Sequence, residues 1–152
     1  MALRLSSGLR DKLLGTGSFK DIMMDGVIRI FPGVQPVSAD DVEGASPLVE
    51  ITVGSAAFTA GAAANGLEFG APSGGSVSKA DGEIWSGAAT SAGTAGWFRF
   101  YDNSLTTGAD SSSARFDGAI STSGAQLNMS STAIASGATT TIDSFTITLP
   151  AS

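Results

Sequence analysis

The stretch that most constrains this chain runs from Gly93 to Asn103 and reads Gly-Thr-Ala-Gly-Trp-Phe-Arg-Phe-Tyr-Asp-Asn. It holds four of the eleven aromatic residues in a sequence otherwise rich in small side chains. Successive side chains of an extended strand point to opposite faces, so large groups emerge here on both sides. Each large ring brings ~150–250 Å² to burial. We therefore predict a central strand with rings on both faces and with Phe98 and Phe100 in the core.

A single arginine lies between these rings. Arg99 shares its face with Trp97 and Tyr101, and we expect it to stack on one of these rings or to pair with Asp117 rather than to touch a substrate. Two later strands supply further apolar side chains with the two-residue period of a half-buried strand. The predicted organising residues are Trp97, Phe98, Arg99, Phe100, Tyr101, Phe116, Phe145 and Ile147.

Short strand-like segments recur along the chain after residue 26. The predicted strands outside the central one cover residues 27–31, 48–53, 76–79, 83–87, 114–120, 125–129 and 139–149. We predict a hairpin that turns at Asp81-Gly82, and a bulge near Asp143-Ser144, where the apolar alternation changes phase. Such spacing is typical of an all-β domain. The predicted fold is mainly β, an antiparallel β-sandwich or jelly-roll-like domain of about eight strands behind two short N-terminal helices.

The first 26 residues have helical patterns instead. Leu5, Leu9 and Leu13 recur every four residues, with Ser6 or Ser7 available as a helix cap. Ser18 can cap a second short helix. We therefore divide the chain into an N-terminal helical arm, residues 1–26, and a β-sandwich domain, residues 27–152. The candidate attachment residues of the arm are Leu5, Leu9, Arg10, Leu13, Phe19, Lys20, Ile22 and Met23. The alternative is that both helices pack on the chain's own sheet.

Charge is unevenly distributed between these two parts. Residues 1–30 carry five basic and three acidic side chains, a net +2, whereas the remaining residues carry three basic and eleven acidic side chains, a net −8. A basic segment on an acidic body suits an acidic groove on a neighbouring subunit. The acidic body argues against nucleic acid as a partner, because neutralising phosphates needs clustered Lys and Arg. No apolar run reaches the ~18 residues of a membrane span.

Catalytic and metal-binding patterns are weak. Histidine and cysteine are both absent, which removes imidazole bases, thiol nucleophiles and the usual zinc and haem ligands. Asp40, Asp41 and Glu43 crowd one loop, but they lack the ligand spacing of a dedicated calcium loop. The other carboxylates are scattered, as solvated surface acids are. We expect no enzyme activity, no cofactor and no metal, with the cation-binding possibility at the Asp40-Asp41-Glu43 loop left open.

The order of motifs resembles that of small virion proteins of tailed bacteriophages. Those proteins begin with Leu-Arg-Leu-Ser-x-Gly-Leu-Arg, continue through Gly-Ser-Phe/Leu-Lys and Gly-x-Ile-x-Ile-Phe/Tyr-x-Gly-x-Gln-Pro-x-Ser-Ala-Asp, and contain Gly-Thr-Ala-Gly-Trp-Phe-Arg before an aromatic residue. They end on Thr-Ser-Gly-Ala-x-Leu-Asn and an alternating Ser-Phe-Thr-x-Thr-x-Pro strand. The matching residues here are 3–10, 17–20, 26–40, 93–100, 122–128 and 144–150.

This resemblance implies a structural component of the virion, assembled in the bacterial host cytoplasm. We expect a capsid decoration (cement) protein on the outer capsid surface, a homo-oligomer with three copies favoured, bound to the major capsid protein or another virion protein. This step rests on analogy of fold. The alternatives are a tail, collar or fibre protein, or a module that binds host glycans through Trp85, Trp97 or Tyr101.

Overall fold

The computed structural model describes residues 3–151, and it is mainly β with two short helices near the N-terminus. The elements in chain order are β1 (Arg4–Leu5), α1 (Ser7–Gly15), α2 (Phe19–Ile22), β2 (Val27–Pro32), β3 (Val49–Val53), β4 (Ser76–Ser78), β5 (Trp85–Ala88), β6 (Gly93–Tyr101), β7 (Arg115–Ser121), β8 (Leu127–Asn128), β9 (Ala133–Ile134), β10 (Thr139–Ile142) and β11 (Thr146–Thr148). The predicted antiparallel, mainly-β class with two helices is confirmed, although the described residues form eleven strands rather than about eight.

Nine of these strands form one large sheet. Its main path runs β1-β7-β6-β2-β3-β5-β10, while β8 joins the side of β7 and β9 joins the start of β6. Every pairing in the sheet is antiparallel except that of β7 with β8. The aromatic strand β6 pairs with β2 on one side and with β7 on the other, so it occupies the central position predicted for it.

A second layer covers one face of the large sheet and makes the arrangement sandwich-like. It consists of α1, α2, residues 66–69 and the two-stranded sheet β11-β4. Between the layers lies a cluster of rings in which Phe100 stacks on Phe116 at 5.1 Å and on Phe69 at 5.4 Å between ring centroids. Phe98 meets Phe145 edge-on at 5.5 Å. The predicted core residues Phe98, Phe100, Phe116, Phe145 and Ile147 are all buried here.

Two predicted connections are wrong. β4 and β5 do not form a hairpin around Asp81-Gly82, because β4 pairs with β11 and β5 pairs with β3 and β10. The segment 139–149 is not one strand with a bulge. β10 ends at Ile142 and β11 begins at Thr146, and the two belong to different sheets. The phase change at Asp143-Ser144 therefore marks the point where the chain crosses from one layer to the other.

The start of the first helix agrees with the prediction in its cap and differs in its apolar stripe. Ser6 is the helix cap, and its side chain accepts a hydrogen bond from the backbone N–H of Leu9 at 3.1 Å. Leu5 precedes the cap and pairs with Phe116 as part of β1, so it belongs to the sheet and not to the helical stripe. Ser18 caps α2 as predicted.

The N-terminal segment is packed into the fold rather than held apart from it. Leu9 and Met23 are fully buried in the same apolar cluster as the rings of the large sheet. A Cβ added to Gly8 would lie 2.3 Å from the carbonyl oxygen of Ser112, so α1 touches the β-domain at backbone distance. The separation of residues 1–26 as an independent arm is therefore corrected: of the two possibilities, the helices pack on the chain's own sheet.

Candidate functional site

The face of the large sheet opposite the ring cluster carries most of the buried polar chemistry. Register aligns one charged residue from each of five neighbouring strands in a single row, namely Glu50, Arg29, Arg99, Asp117 and Arg4. Opposite charges that face each other across strands stabilise a sheet, whereas like charges destabilise it. Arg29 and Arg99 are direct neighbours, and each turns to a carboxylate on its other side, Arg29 to Glu50 at 2.8 Å and Arg99 to Asp117.

The centre of this row is a bidentate ion pair between Arg99 and Asp117. Arg99 donates from Nε to Oδ1 of Asp117 at 2.6 Å and from Nη2 to Oδ2 at 2.8 Å. Both side chains are fully buried. The guanidinium carbon also lies 5.4 Å from the ring centroid of Trp97. The predicted pairing of Arg99 with Asp117, and its stacking on Trp97, are both confirmed.

Glu43 connects this pair to two loops. Its Oε1 accepts hydrogen bonds from Arg99 Nη1 at 3.2 Å and from the Tyr101 hydroxyl at 2.8 Å. The backbone N–H of Gly108 donates to both carboxylate oxygens, at 3.0 and 3.1 Å. Glu43 lies in the loop between β2 and β3, and Gly108 lies in the loop between β6 and β7. One carboxylate therefore holds both loops onto the sheet.

Arg115 holds the same loops through carbonyl oxygens. Its guanidinium is buried and donates to the carbonyls of Ala39 at 2.6 Å, and to those of Thr106, Asp40 and Asp110 at 3.0 Å each. Arginine suits this position because its fork of fixed donors satisfies several acceptors at once. We call Glu43, Arg99, Tyr101, Arg115 and Asp117 the loop-anchoring network.

Burial perturbs the acid–base behaviour of this network. Burial raises the pKa of Asp117, and the hydrogen bonds and charge of Arg99 oppose that shift. Burial alone would also raise the pKa of Glu43, but hydrogen bonds from backbone N–H groups and Tyr101, with the charge of Arg99, hold that pKa below its ordinary value. Burial lowers the pKa of Arg115, and the charge of Arg99 lowers it further. Burial and the Glu43 carboxylate raise the pKa of Tyr101, which keeps its hydroxyl protonated.

The network has the polar composition of a catalytic centre, but its Arg99, Arg115 and Asp117 side chains are fully buried. Perturbed carboxylates in a cleft suggest function, but buried structural ion pairs perturb pKa values as well. Here the donors and acceptors bind one another or the protein's own loops. Among residues 3–151, no buried side-chain nitrogen or oxygen lacks a partner. The geometry of the network is that of a structural element which holds the two loops against the sheet.

The acidic loop does not gather its carboxylates. Asp40 accepts from the backbone N–H and the hydroxyl of Ser7 at 2.8 and 2.7 Å, at the first turn of α1. Asp41 accepts from the backbone N–H of Ser38 at 2.9 Å, and Glu43 points into the loop-anchoring network. In the part of the chain that the structure describes, no three acidic, histidine or cysteine side chains come close enough to hold a metal ion. The cation-binding possibility at this loop is not supported.

The aromatic platform proposed for glycan binding is contradicted by burial. Trp85 is 0% exposed, and Trp97 and Tyr101 are each 1% exposed. Trp97 stacks on Phe31 at 4.5 Å between ring centroids, Trp85 packs among the core rings, and Tyr101 is covered by the loop that carries Glu43. A glycan needs an open aromatic face, and none of these three rings offers one.

The candidate attachment residues divide into an inner and an outer group. Leu9 and Met23 are fully buried, while four others are partly buried and pack against the core, namely Leu5, Leu13, Phe19 and Ile22. Only Arg10, which is exposed, and Lys20, which is half-buried, present polar groups outward. The apolar stripe identified in the sequence is therefore the inner face of the segment, packed against the chain's own core.

Sequence reasoning missed several residues that the fold leaves on the surface. Leu14 is 88% exposed at the end of α1, and Val34 and Val37 are 92% and 86% exposed in the loop after β2. The adjacent leucines at 13 and 14 gave a signal for the first of these, because a helix packed through one of them turns the other outward. Arg115 was also missed, although its register opposite Tyr101 places it beside Arg99 and Asp117.

Comparison with known proteins gives no match to a family model, to a curated protein or to a solved structure. No helix within residues 3–151 has the length and apolar character needed to cross a membrane.

Proposed function

We propose that this chain is a structural protein of a bacteriophage virion, of the capsid decoration (cement) kind, which binds the outer shell and bridges neighbouring subunits. The observation that carries the proposal is that the charged groups of the loop-anchoring network bind one another or the chain's own loops. Such a molecule acts through its surface. The order of sequence motifs described above gives the virion context.

The outward side of the N-terminal segment supplies the attachment surface in this proposal. Arg10 and Leu14 are one helical turn apart on α1, so they are neighbours on the exposed side of the helix. A basic group beside an exposed leucine suits an acidic groove with an apolar floor on the shell. We call Arg10 and Leu14 the outer α1 surface. Because Leu9 anchors the other side of the helix in the core, this surface is held rigidly.

A binding experiment with assembled shells tests this surface. The variant Arg10→Glu with Leu14→Ser reverses the charge and removes the apolar contact at exposed positions, so the fold should be retained. We expect at least about a tenfold loss of affinity in co-sedimentation, since losing one buried leucine contact alone corresponds to about 1.5–3 kcal/mol. The control is Ile84→Ser, which removes another exposed apolar side chain, 62% exposed, far along the chain. Unchanged binding of the double variant, with a normal circular dichroism spectrum, contradicts this attachment surface.

Particle stability tests the decoration role itself. A protein that binds only the assembled shell stabilises that state in proportion to RT ln(1 + [L]/Kd). Particles stripped of it should therefore open at a lower temperature, and adding it back should restore the original temperature. Particles that keep their stability but no longer attach to hosts would instead point to a tail, collar or fibre protein.

A further inference from the structure

One region of the molecule carries no charge at all. Residues 84–98 and 118–142 contain no Asp, Glu, Lys or Arg, although the chain has 22 such residues in total and a net charge of −6. The fold brings these two stretches together: β10 pairs with β5, β9 with the start of β6, and β8 with the end of β7. We call residues 84–98 and 118–142 the uncharged region.

The uncharged region contains an open edge of the large sheet. β10 is the last strand of the sheet, and its only strand partner among residues 3–151 is β5. A cleft of about 170 Å³ lies beside it, lined by the three threonines of β10 and by side chains from the preceding segment between residues 129 and 138. An edge strand presents a row of backbone N–H and C=O groups that a further strand can bind.

The two ends of the sheet differ in how they are protected. β1, at the other end, is only two residues long, and the guanidinium of its Arg4 is bound to the carbonyl of Pro36. β10 has the sequence Thr-Thr-Thr-Ile, which is β-branched throughout and contains no charge and no proline. Natural sheets discourage pairing at their edges with charges, prolines, bulges or very short strands. β10 has no charge, proline or bulge, and it is twice as long as β1.

The partner that best fits this edge is a second copy of the chain. Two copies of an acidic protein repel each other at most approaches, and the uncharged region is where that repulsion is weakest. An antiparallel pair of identical strands is self-complementary about a twofold axis, which is the commonest symmetry of soluble oligomers. We propose that β10 pairs with β10 of a second copy, so that two nine-stranded sheets become one continuous sheet.

This pairing does not depend on the virion role, and it differs from the three-copy assembly implied by the resemblance. Backbone hydrogen bonds join the two edges, and threonines that face each other across the axis add cross-strand contacts. A dimer with β10 at its centre leaves the outer α1 surface outside the pairing. The mass of the protein in solution and the position of the contact between copies therefore test the proposal separately from shell binding.

The first test adds positive charge to the β10 edge. The variant Thr139→Lys with Thr141→Lys puts two lysines per copy at exposed positions next to those of the partner, and edge lysines are a natural block to strand pairing. We expect light scattering after gel filtration to give twice the chain mass for the parent, and a dissociation constant raised at least about tenfold for the variant. The matched control is Thr146→Lys with Thr148→Lys, with the same spacing on exposed positions of β11.

A cysteine scan locates the contact directly. The chain has no cysteine, so Thr139→Cys, Thr140→Cys or Thr141→Cys each introduces a unique thiol. In an antiparallel pair about a twofold axis, the thiol nearest the axis faces its own copy and forms an intermolecular disulfide under mild oxidation. Thr148→Cys serves as the control and should stay unlinked. A parent that is monomeric or trimeric, or cross-linking at position 148 without any at 139–141, would overturn the proposal.

Discussion

The two faces of strands β6 and β7 are stabilised in opposite ways. On one face, Phe98, Phe100 and Phe116 pack ring against ring under the second layer of the sandwich. On the other, Arg99 and Asp117 form a buried ion pair beneath two loops. All five of these side chains are fully buried, although they come from alternate residues of the same strands.

The two faces contribute differently to the fold: one mainly to its stability, the other to the placement of its loops. Apolar burial is non-directional and roughly proportional to area, so the ring face supplies most of the free energy that holds the layers together. Buried ion pairs lose much of their attraction to desolvation, and they contribute little net stability when complete. They are directional, however. The polar face therefore determines where the loops lie, while the ring face determines that the domain folds.

Truncation of the ring face should have the largest effect. Phe100→Ala removes a fully buried ring that touches Phe69 and Phe116, and truncation of a buried aromatic residue costs about 3–5 kcal/mol. We expect a steep fall in melting temperature or loss of folding, measured by circular dichroism. Leu14→Ala, which truncates an 88% exposed side chain, is the control. A Phe100→Ala protein as stable as the parent would remove β6 from its organising role.

Breaking the ion pair should cost nearly as much, but for a different reason. Asp117→Leu leaves the Arg99 guanidinium buried with only Glu43 and a carbonyl as acceptors, and breaking a buried pair costs about 3–5 kcal/mol. Removing both charges with Arg99→Met and Asp117→Leu should recover part of that loss. Urea unfolding of the two single variants and the double variant measures the coupling. If the two losses simply add, Arg99 and Asp117 are not coupled, and if the double variant is no more stable than the single variants, the pair has a net stabilising value; either result contradicts this division of tasks.

The smallest expected effect is the loss, at low pH, of the stability that the ionised Glu43 carboxylate contributes. The folded state holds the pKa of Glu43 below its ordinary value of 4.5. The carboxylate therefore adds stability above that value, and this stability is lost as the pH falls through the lower pKa of the folded state. Glu43→Gln should cost about 1–2 kcal/mol at pH 7, because hydrogen bonds to a charged group are lost.

The difference in stability between the parent and Glu43→Gln should then shrink below about pH 4.5, as measured by urea unfolding across pH. Glu68→Gln, at an exposed carboxylate, controls for the change in net charge. A difference that stays constant down to pH 2.5 would show that the ionised form of Glu43 does not stabilise the loops.

Local pattern was enough to identify the strands that are long and strongly alternating. β6 was predictable because large side chains on both faces of a strand require a central position. The pairing of Arg99 with Asp117 followed from the need of a buried charge for a partner. The junction at residues 143–145 was misread, since a phase change alone does not tell a bulge from a change of sheet.

The sequence by itself determined the class of fold, the central strand and the main aromatic core, because these depend on side-chain periodicity and apolar area, which are local properties. Only the tertiary structure decided that the N-terminal leucines face inward, that Glu43 and Arg115 hold two loops, and that β10 is left at an open edge. Those outcomes depend on which strands become neighbours. Residues such as Glu43 and Gly108 are far apart in the chain, and no local pattern records that the fold brings them within hydrogen-bonding distance.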